Sequence, residues 1–315
     1  TADLTEGLYK AVEVQAPDKY DLSTPYYFGI GASREKPYGL RITNAIPISR
    51  NTNINYINQV IPTADNGMLA CGYFKGTIKI EDQILTSIDN TVDGLIIKYN
   101  PQGTVEWAKS IGGIGSEKIN TVTLTKEQEI IIGGEFSNVL NIDEYSVECK
   151  GAVDGFIIKF DLENNVDWLK TLGSGSYDRV YNMVVTEQED IAIVGNFIGT
   201  IDVEGHIIKS AGYSDGMIIK YNKDGEVKWA NSVGGTGYDT INSVAATKEG
   251  EIVVGGDFEG GTVVLGEYIL KSNGDNDGIV VKYSENGEVE WADSIGDDNE
   301  DFIRSVAVSS KGDVI

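Results

Sequence analysis

Apolar and polar residues alternate in short segments along the chain, as is typical of β-strands. Near the C-terminus, INSVAAT (241–247) is β-prone and EIVVGGDF (251–258) contains a continuous apolar run. GGTVVLGEYILKS (260–272) predicts two short strands around a central glycine, DGIVVKYS (277–284) is a second apolar run, and EVEWADSIG (288–296) alternates. Continuous apolar runs predict strands that are buried on both faces, and Gly-containing segments between strands predict turns. No segment has a sustained helical period.

This pattern recurs along the chain with spacings of 61, 61 and 62 residues. A segment that starts with Asp-Gly begins at Asp93, Asp154, Asp215 and Asp277. One tryptophan follows in each copy: Trp107, Trp168, Trp229 and Trp291. A second acidic column contains Glu117, Asp178, Asp239 and Asp301. We therefore predict four complete units, at about 55–112, 117–173, 178–234 and 239–297, and a truncated fifth unit from residue 301.

Each unit contains four main strands and one additional hairpin, so the sequence predicts an all-β fold. The β-propeller explains this unit best, since its blades are four-stranded sheets that bury their faces against neighbouring blades. A β-solenoid rung is shorter, and an immunoglobulin-type domain is longer, at about 100 residues. We assign residues 49–315 to propeller repeats.

The repeated residues have structural interpretations. One tryptophan in each unit is expected to fill the seam between blades, and the alternative is a ring of tryptophans that stacks on a carbohydrate or other ligand. The Asp-Gly column is expected to cap turns where a strand begins. A lysine five residues further on is expected to pair with an acid of the next blade: Lys98, Lys159, Lys220 and Lys282.

The units resemble the SBBP-type β-propeller repeats of bacterial secreted and surface proteins. The shared pattern is SVAxxxxGxIxVGGxF followed by DGxxxKYxxxGxxxWxxxxGG, and it covers residues 55–315. The resemblance implies a scaffold, often within a large surface protein, without a common chemistry. It does not determine the number of blades.

The first 48 residues have no counterpart in the repeats. They resemble the C-terminal half of a Cna protein B-type (prealbumin-like) domain, a stalk domain of Gram-positive surface proteins, and the resemblance implies a partial β-sandwich. The matching residues are Gly7, Tyr9, Glu13, Ala16, Pro17, Tyr20 and Leu22, followed by TPYYF (24–28) and LRITNAIP (40–47). Lys19 stands where the family has glycine.

Many such domains form an isopeptide bond between a lysine of the first strand and an asparagine of the last. By position, the resemblance implies that Asn44 is the acceptor and that Glu13 moves the proton. The pattern also places Asn44 on one strand face with Leu40, Ile42 and Ile46, although a buried asparagine that is hydrogen-bonded without a crosslink explains this equally well. We expect the first strand to lie before residue 1, and both ends of the chain to be cuts through a longer polypeptide.

The chain has 315 residues, a net charge of −24 and a pI of about 4.3. A surface this acidic repels nucleic acid and anionic lipid, so we expect neither partner. Solubility is the simpler reason for the charge, and cation binding or a salty extracellular setting is the alternative. No apolar stretch is long enough to span a bilayer, and TADLTEGLYK is not a signal peptide. The two cysteines do not form a repeated framework, and the single histidine excludes most histidine-dependent catalysis.

These observations favour a non-catalytic adhesin or scaffold at the extracellular cell surface, in which a stalk carries a propeller with a binding face. The ligand would be a protein or a glycan. The loops SIGGIGSEK, LGSGSYDR, VGGTGYDT and IGDDNEDF precede or contain the second acidic column. Its members Glu117, Asp178, Asp239 and Asp301 are binding-face candidates that could surround a cation, or could cap turns.

Two alternatives remain at this point. The first is a propeller enzyme: a quinoprotein-like dehydrogenase, a glycosidase or a lyase. GxVxWxxxxGG is similar to quinoprotein repeats, but their Ala-x-Asp-x-x-Thr-Gly element is missing, and departures from the repeat, such as Pro62, Cys71 and His206, are scattered. The second is a calcium-binding module, because NGDNDG (273–278) and GDDNED (296–301) cluster oxygen ligands without completing an EF-hand loop. We expect no other cofactor.

Overall fold

The computed structural model describes residues 55–315. The partial β-sandwich predicted at the N-terminus, together with Glu13 and Asn44, lies outside the described residues. The described part of the chain forms four antiparallel groups of four main strands, which we call blades 1 to 4. The last strand of blade 1 also pairs with the hairpin of blade 2, so these two elements share one six-stranded sheet. A two-stranded hairpin follows the second strand of each blade, so the prediction of an all-β propeller-type unit with one additional hairpin is confirmed.

The strands are numbered in chain order. Blade 1 contains β1 (Asn55–Pro62), β2 (Met68–Lys75), β5 (Val92–Tyr99) and β6 (Val105–Gly113), with hairpin β3 (Thr77–Ile80) and β4 (Gln83–Thr86). Blade 2 contains β7 (Glu117–Leu124), β8 (Ile130–Phe136), β11 (Asp154–Phe160) and β12 (Val166–Leu172), with hairpin β9 (Val139–Ile142) and β10 (Tyr145–Glu148). A short 3-10 turn spans Ile88–Asn90.

Blades 3 and 4 repeat this order. Blade 3 contains β13 (Arg179–Val185), β14 (Ile191–Phe197), β17 (Asp215–Tyr221) and β18 (Val227–Val233), with hairpin β15 (Thr200–Val203) and β16 (His206–Lys209). Blade 4 contains β19 (Asp239–Ala246), β20 (Ile252–Glu259), β23 (Asn276–Tyr283) and β24 (Val289–Ile295), with hairpin β21 (Thr262–Leu265) and β22 (Tyr268–Lys271). Residues 301–315 pack against blade 4, where Val306 is 8% exposed. None of the helical segments in residues 55–315 has the length and hydropathy of a membrane span.

The hydrophobic core lies in the seams between blades. One buried cluster joins Leu69 and Ile96 of blade 1 to Ile119 and Phe156 of blade 2, and equivalent clusters join blade 2 to blade 3 and blade 3 to blade 4. The second and third strands of each blade supply apolar side chains to both faces, and this explains their continuous apolar runs. A blade cannot bury both faces alone, so stacking neighbours completes the core.

A β-bulge in the first strand of each blade connects it to the next blade. The extra residue frees backbone groups from the ladder, and polar side chains of the neighbouring first strand bind them. The Asn58 side-chain amide donates to the carbonyl of Ile119 at 2.8 Å, and Gln59 accepts the N–H of Val122 at 2.7 Å. Asn120 repeats the first contact one blade further on. Asparagine recurs at positions 58, 120 and 242, so the sequence contained this signal, although periodicity alone did not reveal it.

The prediction that the repeated lysines pair with acids of the next blade is wrong, because each one pairs within its own blade. The partners come from the turn between the first and second strands or from the residue before the tryptophan, and both positions flank the third strand in the same sheet. The pairs are Lys98–Asp65 at 2.7 Å, Lys159–Glu129 at 2.9 Å, Lys220–Asp190 at 3.1 Å and Lys282–Glu290 at 2.8 Å. Lys220 also contacts the next blade, because its ammonium donates a hydrogen bond to the backbone carbonyl of Gly250 at 3.0 Å.

Candidate functional site

Two loops of each unit lie side by side at the same position of every blade. The loop before the third strand contacts the loop that leads from the fourth strand to the next blade, through a single parallel bridge. The bridges are Val92–Ser116, Val153–Tyr177, Ser214–Tyr238 and Asn276–Glu300. We call these paired loops the loop rim; it comprises residues 87–92 with 112–117, 149–153 with 173–178, 210–214 with 234–239, and 272–276 with 296–301.

The first acidic column caps the loop before the third strand. These four side chains are 0–1% exposed, and each accepts backbone N–H groups from the loop that precedes it. The donors are Ile88 to Asp93 at 3.1 Å, Lys150 to Asp154 at 2.8 Å, Ala211 to Asp215 at 3.1 Å and Asn273 to Asp277 at 2.9 Å. These carboxylates provide hydrogen-bond acceptors for backbone N–H groups that would otherwise have to bind water.

The second acidic column caps the other loop of the rim. Glu117, Asp178 and Asp239 are 0%, 0% and 1% exposed, and Asp301 is half-buried. The donors are Gly113 to Glu117 at 3.0 Å, Ser174 to Asp178 at 2.6 Å, Gly235 to Asp239 at 2.7 Å and Asp297 to Asp301 at 2.9 Å. These carboxylates therefore do not form an exposed ring around a ligand. The loops turn their backbone N–H groups inward, and the carboxylates point inward because they accept hydrogen bonds from these groups.

A glycine lies against the first acidic column in each unit. It is the last residue of the Trp-x-x-x-x-Gly segment, at positions 112, 173, 234 and 296. A Cβ at Gly112 would stand 2.3 Å from an oxygen of Asp93, and one at Gly234 would stand 2.6 Å from Asp239 and 2.8 Å from Asp215. At Gly234 two buried carboxyl groups thus flank one glycine, and at all four positions a side chain would collide with a carboxyl group of the first column.

Burial raises the pKa values of the carboxyl groups of Glu117, Asp239 and Asp93, and the charge of a neighbouring carboxylate adds to the effect for the first two. Burial, with a further contribution from the charge of Asp93, raises the pKa of Glu117 to about 8. Burial also raises the pKa of Asp239 to about 7, and Asp215 adds to this effect. Burial raises the pKa of Asp93 to about 6. Glu117 Oε1 has no hydrogen-bond partner among the described residues. These carboxyl groups hold protons in a pH range where exposed ones are ionised.

The repeated tryptophans lie at the seams. Trp229 is 7% exposed, its indole N–H donates to the carbonyl of Glu285 at 2.9 Å, and its ring centroid is 5.7 Å from that of Tyr283 in blade 4. Trp168 contacts Gly225 of blade 3, where a Cβ would stand 3.1 Å from its ring. Trp107 packs partly buried against the cluster between blades 1 and 2, and Trp291 is half-buried.

The two segments considered for calcium lie beside each other, because Asn276 and Glu300 form one of the rim bridges. Asp277 and Asp301 cap backbone N–H groups there, and Asp297 accepts from the backbone and side chain of Asn299 at 2.9 Å. Within residues 55–315, no three His, Cys, Asp or Glu side chains are arranged to hold a metal ion.

Exposed aromatic residues on the rim were not identified from the repeat. Tyr213 and Tyr238 are 65% and 56% exposed, and their rings stack with centroids 5.1 Å apart and an interplanar angle of 8°. Tyr177 occupies the position of Tyr238 one unit earlier and is 44% exposed. Tyr213 departs from the repeat, since Ala152 stands one unit earlier, and a search for such departures would have found it.

The fold and rim define the chain as a β-propeller repeat protein. No protein-family model matches it. An uncharacterized WD repeat-containing protein of Acanthamoeba polyphaga mimivirus is 26% identical over 117 residues, or 35% of this chain. The match spans only 8% of that relative's length.

Two solved structures show weak likeness. A protein of unknown function from Bacteroides caccae is 12% identical, with a TM-score of 0.25 over 67% of this chain and 95% of that one. BamB from Moraxella catarrhalis is 10% identical, with a TM-score of 0.18 over 85% of this chain and 98% of that one.

Proposed function

We propose that this chain is part of a non-catalytic scaffold or adhesin of the cell surface, in which the blades present the loop rim to a protein or glycan ligand. The observation that carries this proposal is that the two acidic columns stabilise the loops of the rim. In every blade their carboxylates bind the backbone of the rim loops from inside. The shared acids thus hold the loop shape, while side chains that differ between units face outward.

A rim of this kind suits binding because its shape is set before a ligand arrives. Loops that are already ordered lose little conformational entropy on association, and this favours affinity. The outward side chains are large and apolar at several positions: Ile114 is 56% exposed and Tyr177 is 44% exposed. Aromatic and large apolar residues at a rigid surface are common anchors for partners.

The proposed location depends on the resemblances of the sequence. We infer an SBBP-type propeller behind a Cna B-type stalk domain of a Gram-positive surface protein, and so an extracellular setting. Glu13 and Asn44 would then take part in an isopeptide bond of the complete stalk domain. Intact mass measurement of a polypeptide that contains the complete domain tests this: loss of one ammonia is expected, and it should disappear in Asn44→Ala and Glu13→Ala. A mass without that loss contradicts the crosslink.

Binding by the rim is tested with the full 315-residue chain on arrays of extracellular matrix proteins and glycans. The test variant carries Ile114→Ala and Tyr177→Ala on the rim. The control variant carries Ile84→Ala on hairpin β3–β4 and Ile207→Ala on hairpin β15–β16, where these side chains are 66% and 69% exposed. We expect a bound ligand that the rim variant loses and the hairpin variant keeps. No bound ligand, or equal loss in both variants, contradicts the proposal.

A further inference from the structure

The rim of blades 3 and 4 contains a prearranged aromatic pair. Tyr213 and Tyr238 stack nearly parallel, with both rings open to solvent. Backbone contacts hold them together, because the N–H of Tyr213 donates to the carbonyl of Gly237 at 3.1 Å and the neighbouring Ser214 bridges to Tyr238. Neither ring fills a seam, so core packing does not explain their presence.

Two other exposed aromatic rings of the described residues, Tyr177 and Phe302, are each covered by an arginine of the chain itself. The guanidinium of Arg179 lies 5.2 Å from the ring centroid of Tyr177, and that of Arg304 lies 4.4 Å from that of Phe302. Tyr56 stacks on Tyr73, over which the ammonium of Lys118 lies at 5.5 Å. Within residues 55–315, a lysine or arginine lies over the ring of Phe160, Tyr73, Tyr177 or Phe302, and none lies over Tyr213 or Tyr238.

The repeat explains this difference. Lys118, Arg179 and position 240 are equivalent, since they are 61 residues apart. Blade 4 has Thr240 there, so Tyr238 lacks the cation that Tyr177 receives from the second residue after it. A carboxylate is present instead, because Glu259 is half-buried and accepts the backbone N–H of Tyr238 at 2.9 Å. The site therefore combines two aromatic faces, a nearby negative charge and no cation of its own.

We propose that the Tyr213–Tyr238 pair, with Glu259 behind it, binds a lysine or arginine side chain of a polypeptide partner. The face of a tyrosine ring attracts cations, and more so beside a carboxylate. The net charge of −24 favours a basic partner over an acidic one and speeds its encounter. This inference rests on the proposed function, because it names the chemistry of a ligand at the same rim.

The test uses the full chain and a fluorescent peptide of alternating glycine and arginine, compared with the same peptide carrying neutral citrulline. Fluorescence anisotropy at about 0.15 M salt gives the dissociation constants, since weaker ionic strength would exaggerate unspecific attraction. We expect the arginine peptide to bind more tightly than the citrulline peptide. The variant Tyr213→Leu/Tyr238→Leu keeps the net charge and apolar surface but should weaken binding roughly threefold to thirtyfold.

Two further variants separate binding through the ring faces from binding through the tyrosine hydroxyls or the net charge. Tyr213→Phe/Tyr238→Phe keeps both aromatic faces and should bind as the wild type does. Thr240→Arg supplies the positive charge that Lys118 and Arg179 provide at the equivalent positions, and it should weaken binding. Equal affinity of the leucine variant and the wild type overturns the inference, and so does equal affinity for both peptides. Tyrosine-dependent binding of a neutral glycan without peptide binding also overturns it, in favour of a sugar platform.

The same proteins on the ligand arrays keep this outcome distinct from that of the proposed function. If the wild type binds an array ligand and loses it on substitution of Ile114 and Tyr177, the proposed function stands even when the leucine variant retains peptide binding. If the wild type binds nothing on the arrays, the proposed function fails, whatever the peptide shows.

Discussion

The buried carboxyl group of Glu117 provides a quantitative test of how the rim is held. It is 0% exposed, it lies beside Asp93, and its Oε1 has no hydrogen-bond partner among the described residues. Glu117→Gln removes the ionisable proton and keeps the size of the side chain. The amide oxygen can still accept the N–H of Gly113, which Glu117 accepts at 3.0 Å. The variant therefore imitates protonated Glu117 at every pH.

The sign of the pH dependence follows from the raised pKa. The pKa of Glu117 is about 8 in the folded state against an ordinary value of 4.5. The folded chain thus binds the proton more tightly than the unfolded chain, and stability falls as pH rises between these values. Each pH step of one within that window costs about 1.4 kcal/mol, so the total is on the order of 5 kcal/mol. The loss is complete above the folded pKa, and below the ordinary value there is none.

We expect Glu117→Gln to be close to the wild type in stability at about pH 5 and to be more stable by about 3–5 kcal/mol at about pH 9. Hydrogen exchange of the Gly113 amide is the direct measurement, because this N–H donates to the substituted group. A local probe is preferable, since repeat arrays often unfold without a single global transition. Glu127→Gln is the control, because that side chain is exposed and its substitution removes the same charge.

The reasoning would be refuted if, at about pH 9, the Gly113 amide of Glu117→Gln were no better protected from exchange than that of the wild type, while Glu127→Gln left this protection unchanged. That outcome would mean that ionised Glu117 is accommodated in the seam, with water or a cation compensating its charge. The paired carboxyl groups would then be ordinary loop caps whose ionisation does not affect stability.

Three further predictions concern the seams. Gly173→Ala should destabilise its blade by about 1–3 kcal/mol, because a Cβ would stand 2.1 Å from a buried carboxyl oxygen, whereas Gly175→Ala in the same loop, with nothing within 4 Å, should be neutral in chemical denaturation. Lys220→Met, at a side chain that is 0% exposed and paired with an acid, should cost about 3–5 kcal/mol, whereas Lys126→Met, in an exposed ion pair, should cost less than about 1 kcal/mol. Trp229→Leu should lower the midpoint of thermal unfolding by removing about 2–4 kcal/mol of packing and one seam hydrogen bond; an unchanged midpoint would show that this seam does not limit stability.

The strand layout of the repeats was predictable from local patterns. Continuous apolar runs such as EIVVGGDF became central strands, and the Asp-Gly, Asn-Gly and Lys-Glu-Gly segments became strand starts and turns. A strand buried on both faces leaves a signature in its own residues, and a period of about 61 residues multiplies that signature. The choice of tryptophan as a seam residue followed from the same repetition.

Contacts between residues that are far apart in the sequence were less predictable. The lysine column was visible, but a repeat places the acids of its own blade and of the next blade at equivalent spacings. Only the positions of the strands decide which acid is near: Lys159 meets Glu129 and Asp167 because both flank its strand. The second acidic column was likewise visible as a set, whereas its burial depends on loops that turn their N–H groups inward.

The sequence by itself thus determined the all-β class, the unit length, the strand pattern and the positions that every blade shares. These properties are local or periodic, so the sequence of each unit shows them independently. The tertiary structure decided that the repeated carboxylates face inward in pairs, that the first strands bind one another at their bulges, and that Tyr213 and Tyr238 stack in the open. Each of these depends on two loops or two blades that meet only after folding, because burial and charge coupling are properties of neighbours in space.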